Sequence, residues 1–167
     1  VGRFSGVAYF FAKKVYEETN IPIGIINSSW GGTIVETWTS LEAANTLPQK
    51  RLDRYNKNEK LFPPTEYLTR KNKEAKRNDY PSLVYNAMIH PLLSFSIKGV
   101  LWYQGENNVG NAEPYTDWLT FLIGDWRNRW NSELPFYIIQ LPNFDSINKK
   151  PLWAEMRDAQ SKVLAVP

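Results

Sequence analysis

The stretch that decides the fold is Gly99-Val100-Leu101-Trp102-Tyr103-Gln104-Gly105-Glu106-Asn107-Asn108. Its first half is a short apolar run, too brief for a helix and without polar alternation, which predicts a strand buried on both faces. The apolar run is followed by Gly105 and by a cluster of amide and carboxylate side chains around it. In a parallel α/β sheet, ligands bind in the crevice beyond the carboxyl ends of the strands. Glu106 and its neighbours are therefore expected at a binding site.

Two other stretches repeat this plan. Residues 22–26 run into Asn27-Ser28-Ser29-Trp30-Gly31-Gly32-Thr33, and residues 135–139 run into Gln140-Leu141-Pro142-Asn143. Each is an apolar run that ends in uncharged hydrogen-bonding groups. Because the carboxyl ends of parallel strands meet at one edge of a sheet, the sequence predicts that these three clusters gather at a single site.

The segments between these runs carry apolar residues at helical spacing. Ser5 is predicted to cap the first helix and Asn20 to end it, and Ser40 to cap a short helix over 41–46. Further helices are predicted over 81–93, from Pro114, and from about Pro151. The helix from Pro114 is expected to bury Tyr115, Trp118, Leu119, Leu122 and Trp126 and to expose Asp125, Arg127 and Arg129. Alternating helices and strands predict an α/β fold with a parallel sheet covered on both faces.

The composition restricts the possible chemistry. A chain of 167 residues is one domain on size alone. It has no cysteine, which excludes disulfides, thiolate catalysis and Cys-ligated metal, and its single histidine, His90, cannot build a His-rich metal site. No apolar run approaches the roughly 20 residues of a membrane span. We therefore expect neither a metal site nor a membrane partner.

Basic charge is concentrated in residues 49–78, which hold 10 Lys and Arg against 4 Asp and Glu. We predict that residues 49–79 form a charged insertion of two solvated helical pieces, separated by Pro63-Pro64. A basic stretch can also bind nucleic acid. Acidic residues interleave with the basic ones here, and no ladder of aromatic residues accompanies them, so a solvated face is the favoured interpretation.

Glu106 is the only carboxylate within a strand-end cluster. It could act as a general acid or base, or orient a histidine. A glycosidase needs a second carboxylate opposite the first, and neither of the other strand ends supplies one. The amides around Glu106 suit hydrogen bonding to hydroxyl groups and to a developing oxyanion. This combination favours ester or sugar chemistry over phosphate or redox chemistry, and no phosphate-binding loop or dinucleotide fingerprint is present.

Four separated motifs together resemble the sialate O-acetylesterase family of SGNH hydrolases. They are Asn27-Ser28-Ser29-Trp30-Gly31-Gly32-Thr33 with Glu36 and Trp38, Trp102-Tyr103-Gln104-Gly105-Glu106-Asn107-Asn108, Pro135-Phe136-Tyr137 with Gln140-Leu141, and Arg157-Asp158-Ala159-Gln160. The similarity extends over nearly the whole chain apart from the 49–79 insertion. It implies a three-layer α/β/α fold of flavodoxin-like type.

The resemblance implies hydrolysis of O-acetyl esters on sialic acids or related acetylated sugars, by a serine nucleophile and without a cofactor or metal. Glu106 is the catalytic candidate within this chain. The implied oxyanion or substrate-binding residues lie in two loops: Gly31, Gly32, Gln104, Gly105 and Asn107. Whether Gln104 or Asn107 is the side-chain donor to the oxyanion stays open. The substrate class favours a secreted or periplasmic location.

Two motifs of that family are missing from this sequence, namely the Gly-Gln-Ser nucleophile block and the late Asp-x-His block. Ser28 and Ser29 occupy the glycine block instead, so they are predicted to be turn or capping hydroxyls. We therefore expect an internal fragment of a longer esterase, without turnover on its own. A sheet that lacks its first strand exposes an edge, which predicts self-association.

A carbohydrate-binding domain without catalysis is the alternative interpretation. Trp30, Trp38 and Trp102 would then be platforms on which sugar rings stack. This alternative predicts sugar affinity without hydrolysis even in the full-length protein.

Overall fold

The computed structural model of the protein describes residues 4–47, 82–144 and 152–165. The predicted insertion at 49–79 lies outside these residues. The chain divides into two compact units, residues 1–30 and residues 31–167, and each is described by itself.

The first unit contains helix α1, Gly6–Thr19. As predicted, the Ser5 hydroxyl caps it by accepting a hydrogen bond from the Ala8 amide at 3.3 Å, and Asn20 ends it in the left-handed conformation. The strand predicted at 22–26 is not formed, and residues 20–30 are neither helix nor strand. A strand exists only when a neighbour accepts and donates its backbone hydrogen bonds. No described residue pairs with this segment, and Ile21, Ile23 and Ile26 remain exposed.

The second unit is built on two parallel strands, β1 (Val100–Trp102) and β2 (Phe136–Ile138). Their register pairs Val100 with Phe136 and Trp102 with Ile138. Backbone hydrogen bonds from Val100 to Pro135 and from Ile139 to Trp102 extend the pairing at both ends. The parallel pairing predicted from the two apolar runs is confirmed, and with it the α/β class.

Helices surround this pair of strands in the second unit. In chain order they are a 3-10 turn at Val35–Trp38, α2 (Leu41–Ala44), a π-helical segment at Tyr85–Ile89 with a 3-10 turn at His90–Leu92, a 3-10 turn at Glu106–Asn108, α3 (Ala112–Trp130), and α4 (Leu152–Lys162) with a 3-10 turn at Val163–Ala165. Within the described ranges, none of the helices combines the length and apolar character needed to cross a bilayer.

Helix α3 contributes more buried residues to the hydrophobic core of the described residues than any other element. The five side chains predicted for its inner stripe are all buried. Trp126 occupies the centre, with its ring centroid 6.0 Å from that of Trp102 on β1 and 5.8 Å from that of Phe136 on β2. Its indole N–H donates to the Trp38 carbonyl at 3.1 Å. Aromatic packing thus joins α3 to both strands, and the hydrogen bond to Trp38 joins it to the turn before α2.

The helical pattern predicts that Asp125 faces solvent, and this prediction is wrong because Asp125 is buried in the structure. Its carboxylate accepts from the Ser40 amide (3.0 Å) and hydroxyl (2.9 Å) and pairs with Arg129 Nε at 2.7 Å. Burial alone would lower the pKa of Arg129, but the hydrogen bond and charge of Asp125 outweigh it and raise that pKa. A buried carboxylate is tolerated when its oxygens are satisfied in this way, and the contact joins α2 to α3.

Candidate functional site

Two of the predicted site loops lie against each other. Asn107 Nδ2 donates to the Gly32 carbonyl at 2.9 Å, and Gln104 Nε2 donates to the Thr33 carbonyl at 2.8 Å. Gly31 and Gly32 form a turn, in which Gly32 takes a positive φ of 73° that glycine adopts without strain. The loop after β1 therefore meets the double-glycine turn, although residues 22–26, which were predicted to lead into that turn as a strand, form no strand.

A buried polar cluster lies beneath this contact. Asn108 Oδ1 accepts from the Val35 amide and from Gln104 Nε2, each at 3.0 Å, and Asn108 Nδ2 donates to Glu36 Oε2 at 3.1 Å. Asn108 and Glu36 are each only 1% exposed. The sequence motifs include both residues, but nothing in the sequence indicated that they touch, because they lie 72 positions apart.

Gln104 is turned into the protein. A primary amide carries two N–H hydrogens, and those of Gln104 are directed at the Thr33 carbonyl and at Asn108 Oδ1. Its Oε1 atom is buried and has no hydrogen-bond partner among the described residues. Asn107, in contrast, is exposed. Of the two amides that the sequence left open as oxyanion donor, Asn107 is the one that solvent, and hence a ligand, reaches.

Tyr115 of α3 holds the loop after β1 from within the core. Its hydroxyl donates to the Gln104 carbonyl at 3.0 Å and accepts from Trp102 Nε1 at 3.3 Å. Burial raises the pKa of Tyr115 to about 12, and the hydrogen bond from Trp102 opposes that shift. The hydroxyl therefore keeps its proton at neutral pH and remains a donor. The helical periodicity had indicated only that Tyr115 packs in the core.

Gln160 of α4 connects the segment after β2 to the loop after β1. Gln160 Oε1 accepts from the Leu141 amide at 3.0 Å, and its Nε2 donates to the Gln104 carbonyl at 3.1 Å. The side chains predicted to line the site from this strand, Gln140 and Asn143, instead contact α4: Gln140 donates to the Arg157 carbonyl, and Asn143 accepts from the Arg157 guanidinium. Sequence reasoning assigned Gln160 no role, although it belongs to one of the quoted motifs.

Gly105 connects the buried residue Gln104 to the exposed part of the loop. It is buried, with φ 143° and ψ −15°, a conformation that L-residues rarely adopt. A Cβ atom there would lie 3.3 Å from Leu141 Cδ1 and 3.4 Å from Gln160 Nε2. Both the backbone conformation and the close packing therefore require glycine.

Gly105→Ala is expected to lower the free energy of unfolding by about 1–3 kcal/mol, the usual cost of a strained backbone conformation. Gly124→Ala is the matched control, because Gly124 lies inside α3, where an added Cβ would meet no atom within 4 Å and alanine favours helix by up to about 1 kcal/mol. Urea denaturation of both variants measures the difference. Equal effects at the two positions would contradict the strain argument.

The other predicted site residues lie at the surface, in a turn or in the core. Glu106 is exposed and begins the 3-10 turn beside Asn107. Ser29 donates to Asn27 Oδ1 at 2.7 Å, in keeping with the turn role predicted for it. Trp38 and Trp102 are buried with ring centroids 6.2 Å apart, so neither is a surface platform for a sugar. No three His, Cys, Asp or Glu side chains gather at a metal-binding distance in the part of the chain that the structure describes.

Comparison with known proteins gives consistent results. Residues 3–167 match the family model described as carbohydrate esterase, sialic acid-specific acetylesterase. The chain is 32% identical to a sialate O-acetylesterase of Rattus norvegicus and 34% identical to that of Homo sapiens, over 86% and 82% of its own length. A crystal structure of a carbohydrate acetylesterase from Xanthomonas citri matches 99% of the chain with a TM-score of 0.76 and 37% identity. The chain spans 30% and 25% of those two relatives and 33% of the solved chain.

Proposed function

Because this chain belongs to the family of sialic acid-specific acetylesterases among the carbohydrate esterases, we propose that the protein containing it removes O-acetyl groups from sialic acid or related acetylated sugars. The observation that carries the proposal is the contact between the Asn107 amide and the Gly32 carbonyl. It brings together two loops that both resemble oxyanion-forming segments of serine esterases.

We assign the oxyanion hole to these loops. When a serine oxygen attacks the ester carbonyl, negative charge develops on the carbonyl oxygen, and hydrogen-bond donors already in place stabilise it. The Asn107 side chain and a backbone N–H of the Gly31-Gly32 turn are the proposed donors. The bond from Asn107 to Gly32 orients an amide that remains exposed to the substrate side. Glu106, exposed beside it, is the proposed acceptor for substrate hydroxyl groups.

The buried residues keep this oxyanion hole in one conformation. Tyr115 and Gln160 both donate to the Gln104 carbonyl, and Gln104 donates to Thr33. Each of these bonds ties the loop after β1 to a different part of the second unit. Catalysis by electrostatic stabilisation depends on such preorganisation, since donors that must first reorient provide less of the stabilisation. The serine nucleophile and histidine base are assigned to polypeptide outside these 167 residues, because neither motif occurs in them.

The complete open reading frame that encodes this chain provides the test. Its product is expected to release acetate from O-acetylated sialic acid and from nitrophenyl acetate, and a serine-directed inhibitor is expected to abolish both reactions. Residues 1–167 alone are expected to show no turnover and to self-associate in sedimentation experiments through the exposed edge of the truncated sheet. A full-length protein that binds acetylated sugars without cleaving them would instead support the carbohydrate-binding alternative.

A further inference from the structure

We infer that Asn108 is a positioning residue: with Glu36, it holds Asn107 in place against the double-glycine turn. The inference deepens the proposed function and rests on it for the catalytic consequence. The claim that Asn108 positions Asn107 rests only on observed hydrogen bonds. It can therefore be tested separately from the catalytic consequence.

Asn108 connects two loops that are distant in the sequence. It is 1% exposed, and its side chain makes three hydrogen bonds, to the Val35 amide, to Gln104 Nε2 and to Glu36 Oε2. Two of these groups belong to the 3-10 turn Val35–Trp38, which closely follows the double-glycine turn. The distance between the two site loops is therefore set beneath the surface, at Asn108, as well as at Asn107.

Only an amide fits the partners of Asn108. Its oxygen accepts from two N–H groups, whereas its nitrogen donates to a carboxylate. A carboxylate at position 108 would keep the first two bonds but would bring a second negative charge against Glu36, in the place of a hydrogen bond and away from water. Two buried carboxylates in contact repel each other strongly.

The position of Asn108 determines that of Asn107. Asn107 lies in a single 3-10 turn, which the Asn108 backbone amide closes by donating to the Gly105 carbonyl at 2.9 Å. Gly105, at one end of this turn, is buried, and there is little room for even a Cβ atom between it and Leu141, so this end of the turn is tightly packed. A shift of Asn108 at the other end therefore moves Asn107 relative to Gly32. Misplacement of a catalytic group by about 1 Å costs on the order of 100-fold in rate.

Three variants of the full-length protein test this role: Asn108→Asp, Glu36→Gln, and the double variant Asn108→Asp with Glu36→Gln. Asn108→Asp is expected to lower kcat about 100-fold with little change in KM. In the double variant, the new amide at position 36 can donate to the new carboxylate at position 108, which restores the bond with its direction reversed and returns the buried pair to a single negative charge. We expect kcat to recover to within about tenfold of the wild type. Asn86→Asp, the same substitution at an exposed position, is the control.

Amide hydrogen exchange provides a readout that does not require activity. Peptides covering residues 103–110 are expected to exchange faster in Asn108→Asp and to regain protection in the double variant. Unchanged exchange in Asn108→Asp, or a double variant that regains neither protection nor rate, would overturn the inference. If Asn108→Asp does not fold, a folded double variant with wild-type protection supports the inference, and an unfolded one overturns it. Faster exchange in a protein whose wild type cleaves no acetyl ester would refute the proposed function and leave the positioning role intact.

Discussion

Replacing Asn107 with alanine is expected to lower kcat for acetyl ester hydrolysis by about 100- to 1,000-fold in the full-length protein, the usual loss for one oxyanion donor. The Asn107 amide is exposed and is oriented by the Gly32 carbonyl, so it would meet the charge that develops on the ester oxygen. Because this interaction strengthens only in the transition state, KM should stay within about threefold of the wild type. Steady-state kinetics with nitrophenyl acetate and an acetylated sialic acid measure both constants.

Asn86→Ala is the matched control for that variant, since Asn86 is also an exposed asparagine and lies outside the site loops. Thermal unfolding of the Asn107 variant should remain close to that of the wild type, because only surface hydrogen bonds are removed. A kcat within about threefold of the wild type would show that Asn107 is not the oxyanion donor. A large rise in KM at constant kcat would instead assign Asn107 to ground-state binding of the substrate.

Replacing Trp126 with alanine is expected to lower the free energy of unfolding by about 3–5 kcal/mol, the range for truncating a buried aromatic side chain. Trp126 is 4% exposed and packs against Trp102 and Phe136, one residue from each strand. Its loss opens a cavity between α3 and the sheet. The substitution also removes the indole N–H that donates to the Trp38 carbonyl, so this carbonyl loses a buried hydrogen bond.

Two further variants separate these contributions. Trp126→Phe keeps an aromatic ring in the core but removes the indole N–H, and we expect a smaller loss of about 1–3 kcal/mol. Trp30→Ala removes a tryptophan that is 44% exposed and should change stability by less than about 1 kcal/mol. Urea denaturation monitored by circular dichroism gives all three values. A loss at Trp126 no larger than that at Trp30 would contradict the central place of Trp126 in the core.

Expectations that rest on local patterns agree well with the structure. The inner stripe of α3 and the Ser5 and Ser40 caps were predicted, and the alternation of helices and strands along the chain also predicted the parallel pairing of two apolar runs. A capping hydroxyl acts within three residues, and the apolar stripe of α3 is visible as helical spacing within the helix itself, so both can be recognised from the local sequence. The four quoted motifs likewise indicated the esterase family that the comparisons show.

The sequence alone was therefore sufficient for the α/β class and the family, and it indicated the two loops that we propose as the site. The tertiary structure decided which amide faces outward: the Gln104 side chain is hydrogen-bonded in the protein interior, whereas Asn107 is exposed. It also decided that Asp125 is buried, that Asn108 contacts Glu36, and that residues 22–26 form no strand. Each of these outcomes depends on hydrogen-bonding partners far away in the chain, or on their absence among the described residues. Residue type and spacing carry no information about such partners, because only the folded chain brings them within bonding distance.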